Sequence, residues 1–353
     1  MGKVKIGIIG AGSISQFHIH GYQQLPDVEL TAVCDINEER AKLAAEKYGI
    51  PHVFTDFNEM LKSVELDGVS VCTWNNAHAP ASIAALKAGV NVLCEKPMAM
   101  NAGQAEEMLK VSKETGKLLM IGFVKRFEDK TQLVKKLADN GEFGDIYYAK
   151  IGYTRRRGNP GGWFSNRELS GGGPLIDLGV HVIDLVRYVM GKPKAVSAYG
   201  NTFNKIASRT DIVQTGDYKA ASNQGEDINN VEDAAVGVIN FDNGATVTLE
   251  TSWVQHVKEG QTYLELYGSK AGISLEPKVE ISGEKDGMMI DWAPVVSFND
   301  DFQTIFDREV AHYVDCIKNG TICRNPAEDG VEVMKILDAV YESAETKKDV
   351  KIK

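Results

Sequence analysis

The first 122 residues alternate apolar strand-like runs with amphipathic helical segments, and this alternation restricts the fold more than any other feature of the chain. Runs such as VKIGIIG, VELTAVC and GVSVCTW are apolar on both faces, as in strands covered by helices on both sides of a sheet. Strands that alternate with helices in this way pair in parallel. The pattern therefore predicts an α/β fold that begins with a doubly wound parallel sheet over residues 1–122.

Residues 123–353 follow a different pattern, which predicts a second domain. A helical segment and the strand DIYYAKIGYTRRR precede a long apolar helix, and strands dominate after it. The turn Asp242-Asn243-Gly244 between two strand-like runs is a strong hairpin signal. We expect an α+β domain with a largely antiparallel open sheet, closed by helices over 302–317 and 331–344. Residues 201–230, polar and asparagine-rich, are expected to form a long loop.

Composition excludes several classes of partner. The formal net charge of −10 is unfavourable for nucleic-acid binding, which requires a basic surface. No run of about 18 apolar residues indicates a membrane span, and the N-terminus lacks a secretory h-region, so a cytoplasmic protein is expected. The five cysteines form no CxxC pair. We therefore expect no disulfide framework and no metal site, with the cysteines as small apolar fillers.

The segment GIIGAGSIS joins the first strand to the first helix and predicts a dinucleotide-binding loop. Gly10 permits a tight turn, and Gly12 lets the backbone approach a pyrophosphate at the helix N-terminus, beside Ser13 and Ile14. The third position of this motif takes Gly or Ala for close packing, and here it is Ser15.

Asp35 ends the second strand, about 20 residues after the glycine loop, where a carboxylate binds a ribose 2′-hydroxyl. The same carboxylate would repel a 2′-phosphate, and the adjacent Ile36 supplies no compensating cation. The sequence therefore predicts NAD rather than NADP as the cofactor.

An ionisable stripe interrupts the apolar helix GGGPLIDLGVHVIDLVRYVMG. Asp177, His181 and Asp184 stand at i, i+4 and i+7, which places them on one face of a helix from Leu175 to Met190. Burying such groups is costly unless they pair or face a cavity. They form either a buried pair that satisfies itself or a catalytic group, and the upstream motifs favour catalysis.

The strand NVLCEKP ends in Glu95-Lys96-Pro97, at the edge of the sheet where ligands bind in open α/β folds. With GAGSIS, Asp35, TWNNAH (residues 73–78), the EKP motif, the GGGPLIDLGVHVIDL helix and the late segment NPAEDGVEVMKILDAVYES, the chain resembles the Gfo/Idh/MocA family of sugar and polyol oxidoreductases over essentially its whole length. The resemblance implies a Rossmann domain and a C-terminal domain with the active site between them. It also implies that the open sheet mediates a homodimer or homotetramer.

The resemblance further implies roles for particular residues. Lys96, Asp177 and His181 match the catalytic lysine, aspartate and histidine. The cofactor-side residues that it implies are Thr73, Asn75, His78, Glu95 and Lys96. Trp74 stands where the family usually has proline, so the shape of that loop is open.

In the predicted reaction a hydride passes between the nicotinamide and a hydroxyl or ketone of a sugar, inositol or related polyol. His181 takes the hydroxyl proton, Asp177 orients the imidazole or the substrate, and Lys96 stabilises alkoxide charge. Substrate contacts are expected from Lys96, Arg126, Arg155, Trp163, Asp177 and His181. For the arginines the alternatives are a solvated strand face and a tie between the domains. Asp184 is expected to support the site or to pair with Arg187.

Two other functions share these motifs. A sensor would use NAD or sugar to control a protein partner without turnover, although it would be free to lose Lys96, Asp177 and His181. An NAD-dependent glycosidase would oxidise its substrate transiently and regenerate NAD in each cycle. Stoichiometric consumption of NAD distinguishes a dehydrogenase from both.

Overall fold

The computed structural model describes residues 2–206, 219–220, 222 and 228–353. The chain forms two compact units, one comprising Met1–Phe127 with Asp300–Val331 and the other Glu128–Asn299 with Glu332–Lys353. Most of the polar loop predicted at 201–230 lies outside the described residues.

The first unit contains a six-stranded parallel sheet, as the sequence predicted. Its strands are β1 (Val4–Ile9), β2 (Val28–Cys34), β3 (His52–Phe54), β4 (Gly68–Val71), β5 (Asn91–Glu95) and β6 (Leu119–Gly122). They lie in the order β3-β2-β1-β4-β5-β6, and every neighbouring pair is parallel. The strand order reverses between β1 and β4, which is the point where open α/β sheets bind ligands.

Five helices connect these strands: α1 (Ser15–Gln23), α2 (Glu38–Tyr48), α3 (Phe57–Ser63), α4 (Asn75–Lys87) and α5 (Ala102–Thr115). The side chains of Asn37, Asp56 and Asn101 accept backbone N–H groups at the starts of α2, α3 and α5. Gly49 and Gly116 end α2 and α5 in the left-handed conformation. Local sequence signals therefore define most of these helix boundaries.

The second unit contains a nine-stranded mixed sheet. Its strands are β7 (Ile146–Thr154), β8 (Ala195–Phe203), β9 (Ala234–Phe241), β10 (Thr246–Ser252), β11 (Gln261–Gly268), β12 (Ala271–Glu276), β13 (Glu280–Lys285), β14 (Met288–Trp292) and β15 (Val350–Lys351). Their order is β14-β13-β12-β11-β7-β10-β9-β8-β15. Only β7 and β10 pair in parallel, so the prediction of a largely antiparallel sheet is confirmed. The predicted hairpin joins β9 to β10.

The remaining helices are α6 (Asp129–Asp139), α7 (Arg167–Ser170), α8 (Val180–Val189), α9 (Phe302–Asn319) and α10 (Ala327–Thr346). A π-helical turn, Leu175–Gly179, leads directly into α8. The segment Arg167–Val189 is long and apolar enough to cross a membrane by length and composition, but 78% of its 18-residue apolar window is buried inside the protein. It is thus buried as the core helix of a globular unit would be.

Helix α9 belongs to the first unit, whereas the predicted domains 1–122 and 123–353 place it in the second. Its contact with α1 is close, because a Cβ added at Gly21 would lie 2.3 Å from Cγ2 of Val310. The ring of Phe17 also packs edge-on against Phe302 at 4.8 Å and lies 5.4 Å from Phe306. A contact between residues almost 300 positions apart carries no local sequence signal.

Candidate active site

The glycine loop between β1 and α1 has the conformation that the motif predicts. Gly10 has φ of +92°, and a Cβ there would lie 2.7 Å from the carbonyl of Cys72, so only glycine fits. A Cβ at Gly12 would meet open space, and that space is where a bound phosphate needs room. Ser15, the departure from the motif, is buried and its hydroxyl donates to the carbonyl of Gly12 at 2.7 Å. The Ser15 side chain therefore stabilises the turn by a hydrogen bond within the loop.

Asp35 lies at the end of β2 and is bonded to the glycine loop. Its Oδ2 accepts the backbone N–H of Ala11, and its Oδ1 accepts that of Asn37, both at 2.8 Å. The sequence offered no cation beside Asp35, but the structure supplies one. The guanidinium of Arg40, one turn into α2, lies 3.4 Å from Oδ2. The prediction that a 2′-phosphate would meet no compensating cation is therefore wrong, because the first turn of α2 brings Arg40 back over the end of β2.

A cavity of about 270 Å³ opens at the switch point of the sheet. It is lined by Ile9, Gly10, Gly12, Cys34, Asp35, Ile36, Arg40, Thr55, Phe57, Cys72, Thr73, Trp74, Asn76 and Ala77. This lining fits the adenosine half of a dinucleotide, because its apolar residues would hold the base and Asp35 would bind the ribose hydroxyls. Trp74, in the position of the family's proline, forms part of the wall.

The segment 73–78 begins α4 and is held to the EKP segment by His78. This imidazole is buried, with Nδ1 at 2.7 Å from the carbonyl oxygen of Pro97 and Nε2 at 3.1 Å from that of Thr73. Burial lowers the pKa of His78, which favours the neutral ring. These two contacts indicate that His78 positions the 73–78 segment against the EKP segment. Asn75 is buried at the start of α4, and Thr73 is partly exposed.

Glu95 and Lys96 follow one another at the end of β5 but have different surroundings. Glu95 is buried, with Oε1 at 2.8 Å from Nε2 of His18, and its Oε2 accepts the N–H of Lys96 at 3.1 Å. The other ring nitrogen of His18 lies 3.1 Å from the hydroxyl oxygen of Ser70. Lys96 is partly exposed. The buried His18–Glu95 pair, which the sequence reasoning missed, holds the strand end from which Lys96 projects.

The apolar helix of the second unit exposes a single histidine. Between residues 172 and 189 every residue is buried except His181, which is partly exposed. Asp184 is almost wholly buried, so of the three residues in the predicted stripe only His181 is partly exposed. The regular helix predicted from Leu175 is incorrect at its start, because Asp177 lies on the π-helical turn. Such turns are frequent at functional sites.

Asp177 is anchored by Trp253, the residue that follows β10. The indole Nε1 of Trp253 donates to Oδ2 of Asp177 at 3.0 Å, and the tryptophan is fully buried. Phe164 packs edge-on against Trp253 at 6.4 Å, and Trp163 stacks on Phe164 at 3.9 Å. A continuous aromatic contact therefore links the predicted substrate residue Trp163 to the tryptophan that holds Asp177.

The Glu232 carboxylate accepts backbone N–H groups at the N-terminus of this helical segment. Its Oε2 accepts the N–H of Gly173 at 2.9 Å, and its Oε1 accepts the N–H of Leu175 at 3.1 Å and the hydroxyl of Tyr341 at 2.9 Å. Pro174, between the two amides, has no N–H to satisfy. A carboxylate at this end of a helix also complements the positive end of its dipole. No spacing rule connects residue 232 to residue 173, so the sequence did not reveal this contact.

The two arginines predicted to bind substrate differ in exposure. Arg126 is fully buried inside the first unit, where its guanidinium contacts Asp329 at 2.8 Å and the carbonyl of Arg324 at 2.7 Å. The prediction that Arg126 binds substrate is therefore incorrect, because the packing of 324–329 encloses it. Arg155 is partly exposed and follows the end of β7, with its guanidinium 3.0 Å from the carbonyl of Gly158.

A parallel sheet with a glycine loop, a carboxylate at the end of β2 and a lysine at the end of β5 defines an oxidoreductase of the NAD-binding Rossmann class. Residues 4–123 match the oxidoreductase family model described as an NAD-binding Rossmann fold, and residues 131–274 match the GFO/IDH/MocA C-terminal domain. The chain belongs to the Gfo/Idh/MocA family of NAD(P)-dependent oxidoreductases.

Relatives of the chain span almost its full length. The D-glucoside 3-dehydrogenase of Escherichia coli is 35% identical, over 97% of this chain and 96% of that protein. The myo-inositol 2-dehydrogenase of Thermotoga maritima is 27% identical, over 99% and 98%. Among solved structures, an oxidoreductase domain protein from Kribbella flavida has a TM-score of 0.86 at 24% identity, covering 100% of both chains. Levoglucosan dehydrogenase in complex with NADH also has a TM-score of 0.86, at 22% identity and 99% of both chains.

Proposed function

We propose that the protein is an NAD-dependent dehydrogenase that oxidises a hydroxyl of a sugar, inositol or related polyol ring. The observation that carries the proposal is His181, the single partly exposed residue in an otherwise buried stretch, one turn from an aspartate held by Trp253. The relatives named as dehydrogenases of D-glucosides and myo-inositol support this substrate class.

The proposed roles follow from the chemistry of alcohol oxidation. NAD⁺, when bound at the glycine loop, supplies the hydride acceptor. Neutral His181 accepts the hydroxyl proton, since an imidazole has a suitable pKa for this near neutral pH. Lys96 stabilises the alkoxide charge as it develops. Asp177, held by Trp253, orients the substrate or the imidazole.

The cofactor preference that we propose is NAD over NADP. Both oxygens of Asp35 accept backbone N–H groups, which hold the carboxylate at the end of β2, and a carboxylate in this place repels a 2′-phosphate. Arg40 reduces this repulsion because its guanidinium lines the same cavity. We therefore expect a measurable affinity for NADP as well.

The substrate surface that we propose includes Trp163 and Arg155, both partly exposed. One face of Trp163 stacks on Phe164, which fixes the plane of the indole. An aromatic ring held in this way suits the apolar face of a pyranose, and Arg155 suits its oxygens. A ring-shaped glycoside is accordingly the first substrate to test.

The experiment is a screen with methyl glucosides, glucose, levoglucosan and myo-inositol, in which NADH formation is followed by absorbance with both cofactors. We expect stoichiometric NADH formation, with His181→Ala lowering kcat by roughly 100- to 10,000-fold while NADH binding is retained. Lys96→Ala should also remove most activity. His52→Ala, an exposed histidine on β3, is the matched control and should be active.

Near-normal turnover of His181→Ala on a confirmed substrate would show that the base assignment is wrong. Release of sugar at constant NAD would identify the glycosidase alternative. Tight NAD and sugar binding by the unmodified protein without either reaction would identify the sensor.

We further propose that the open face of the second unit's sheet joins identical subunits. Val196, Tyr199 and Phe203 of β8 and Val236 and Val238 of β9 are exposed and apolar, with Tyr199 and Val238 paired across the two strands. Such a face leaves apolar surface in water unless another subunit covers it. Sedimentation should show a dimer or tetramer that Val238→Glu dissociates. A monomer at micromolar concentration with NAD present would contradict this proposal.

A cytoplasmic location is also proposed. All five cysteines are free, as expected in a reducing compartment. Cell fractionation tests it, and recovery with the secreted fraction would contradict it.

A further inference from the structure

Three potential metal ligands meet at the C-terminal end of α9, in the first unit. His312 and Cys316 lie one helical turn apart, and Cys323 follows the left-handed glycine that ends the helix. The ligand atoms of these three residues all lie within 4.8 Å of one another. The cysteine spacing alone gave no indication of a site, because the third member is a histidine and the grouping requires the chain to turn back at Gly320.

The separation of the first two ligands fits tetrahedral coordination. Sγ of Cys316 lies 3.5 Å from Nε2 of His312. An ion at about 2.0–2.1 Å from the nitrogen and about 2.3 Å from the sulfur, with a tetrahedral angle, requires about 3.5 Å between them. The pair is therefore already at the spacing that zinc demands.

The histidine has a nitrogen lone pair that a cation could use. Nε2 of His312 accepts the N–H of Arg324 at 2.9 Å, so this nitrogen carries a lone pair, which coordination would take from the amide. Thiolates and a neutral imidazole are the forms that bind zinc, so binding would release the thiol protons.

The cluster is accessible from solvent and lies beside the parallel sheet. His312 and Cys323 are partly exposed, so an ion reaches the cluster from solvent. The residues just after Cys323 pair with the edge of the parallel sheet, since the N–H of Ile121 donates to the carbonyl of Asn325 at 3.0 Å. An ion bound here would fasten the end of α9 to the segment that runs along β6.

We propose that His312, Cys316 and Cys323 form a binding site for a zinc-class divalent cation, with the fourth position open to water. Two thiolates and an imidazole are a ligand set that selects zinc over magnesium or calcium. The site has a structural role and does not depend on the function proposed above.

The test uses Co²⁺ as a spectroscopic probe on the reduced, metal-stripped full chain. One equivalent of Co²⁺ should produce a thiolate-to-cobalt charge-transfer band and the visible bands of four-coordinate cobalt, and Zn²⁺ should abolish both. Cys323→Ser and Cys316→Ser should each weaken Co²⁺ binding by more than roughly 100-fold, because even outer contacts to metal ligands are worth 10- to 100-fold. Cys94→Ala, which removes a buried thiol from β5, is the matched control and should bind like the unmodified protein.

Cys323 is partly exposed in a loop, so Cys323→Ser is expected to fold and can be measured even if Cys316→Ser does not fold. Equal cobalt spectra for the unmodified protein and Cys323→Ser would overturn the proposal. An absence of cobalt binding would also overturn the proposal. It would do so too if mild treatment with hydrogen peroxide then links Cys316 to Cys323 in a disulfide. That last result would identify a redox pair instead of a metal site.

Discussion

The indole nitrogen of Trp253 lies 3.0 Å from Oδ2 of Asp177. This donor is held in place because the backbone N–H and the backbone carbonyl of Trp253 are both hydrogen-bonded. The N–H of Trp253 donates to the carbonyl of Asp233 at 2.9 Å, and its own carbonyl accepts the N–H of Gly158 at 2.7 Å. A rigid donor fixes the orientation of the carboxylate. In our proposal this tryptophan is a positioning residue for the catalytic aspartate.

Trp253→Phe should lower kcat by roughly 10- to 100-fold, because a hydrogen bond to a charged group contributes about 1.5–3 kcal/mol. The phenyl ring fills most of the volume but supplies no donor, so the variant should fold and bind NADH. Steady-state kinetics and NADH titration measure the two effects. Trp292→Phe, on the exposed strand β14, is the control. Unchanged kcat in Trp253→Phe would show that Asp177 needs no such orientation.

Glu232→Gln should destabilise the protein by about 1–3 kcal/mol, the cost of leaving a buried donor unpaired. The carboxylate accepts from Gly173, Leu175 and Tyr341, and an amide presents an NH₂ group to one of these donors. Chemical denaturation measures the change. Glu284→Gln, an exposed acid on β13, should change stability little. Equal midpoints for the two variants would contradict the capping role.

Asp35 and Arg40 should have opposite effects on cofactor choice. Asp35→Ser should narrow the preference for NAD, because it removes the repulsion of a 2′-phosphate, while Arg40→Ala should widen it. Titration with NADH and NADPH measures both affinities. Lys42→Ala, an exposed cation on the same helix, is the control. A tenfold preference of the unmodified protein for NADPH, about 1.4 kcal/mol, would contradict the proposed specificity.

His78 should make stability depend on pH. Burial lowers its pKa in the folded state, so the unfolded chain binds a proton more readily as the pH falls below about 6.5. The contribution of neutral His78 to the free energy of unfolding is therefore fully present above about pH 6.5. It is lost as the pH falls below that value, by no more than about 1.4 kcal/mol per pH unit. Denaturation at pH 7, 6 and 5 should give a shallower slope for His78→Gln than for the control His52→Gln. Identical slopes would show that folding does not shift the pKa of His78 and would contradict this prediction.

The features that the sequence predicted well are those with local signals. Both-face apolar strands, capping residues and Gly10 specify β1, the glycine loop and the following helices within a few neighbouring residues. The hairpin between β9 and β10 is equally local, because its turn residues are adjacent. β8, β13, β14 and β15 were not predicted. The sequence of β13, EISGEK, is mostly polar, and β14, MMIDW, is exposed at every position, so neither has the apolar pattern of a core strand.

The sequence by itself therefore determined the parallel nucleotide-binding sheet, the largely antiparallel second sheet and the motifs that place the chain in its family. Only the tertiary structure decided which polar groups are available. It buried Arg126 against Asp329, enclosed Asp184 while leaving His181 partly exposed, and brought Arg40 to Asp35. It also returned α9 to the first unit and grouped His312 with two cysteines. Exposure and long-range pairing depend on what packs against a side chain, and the periodicity of its own segment does not contain that information.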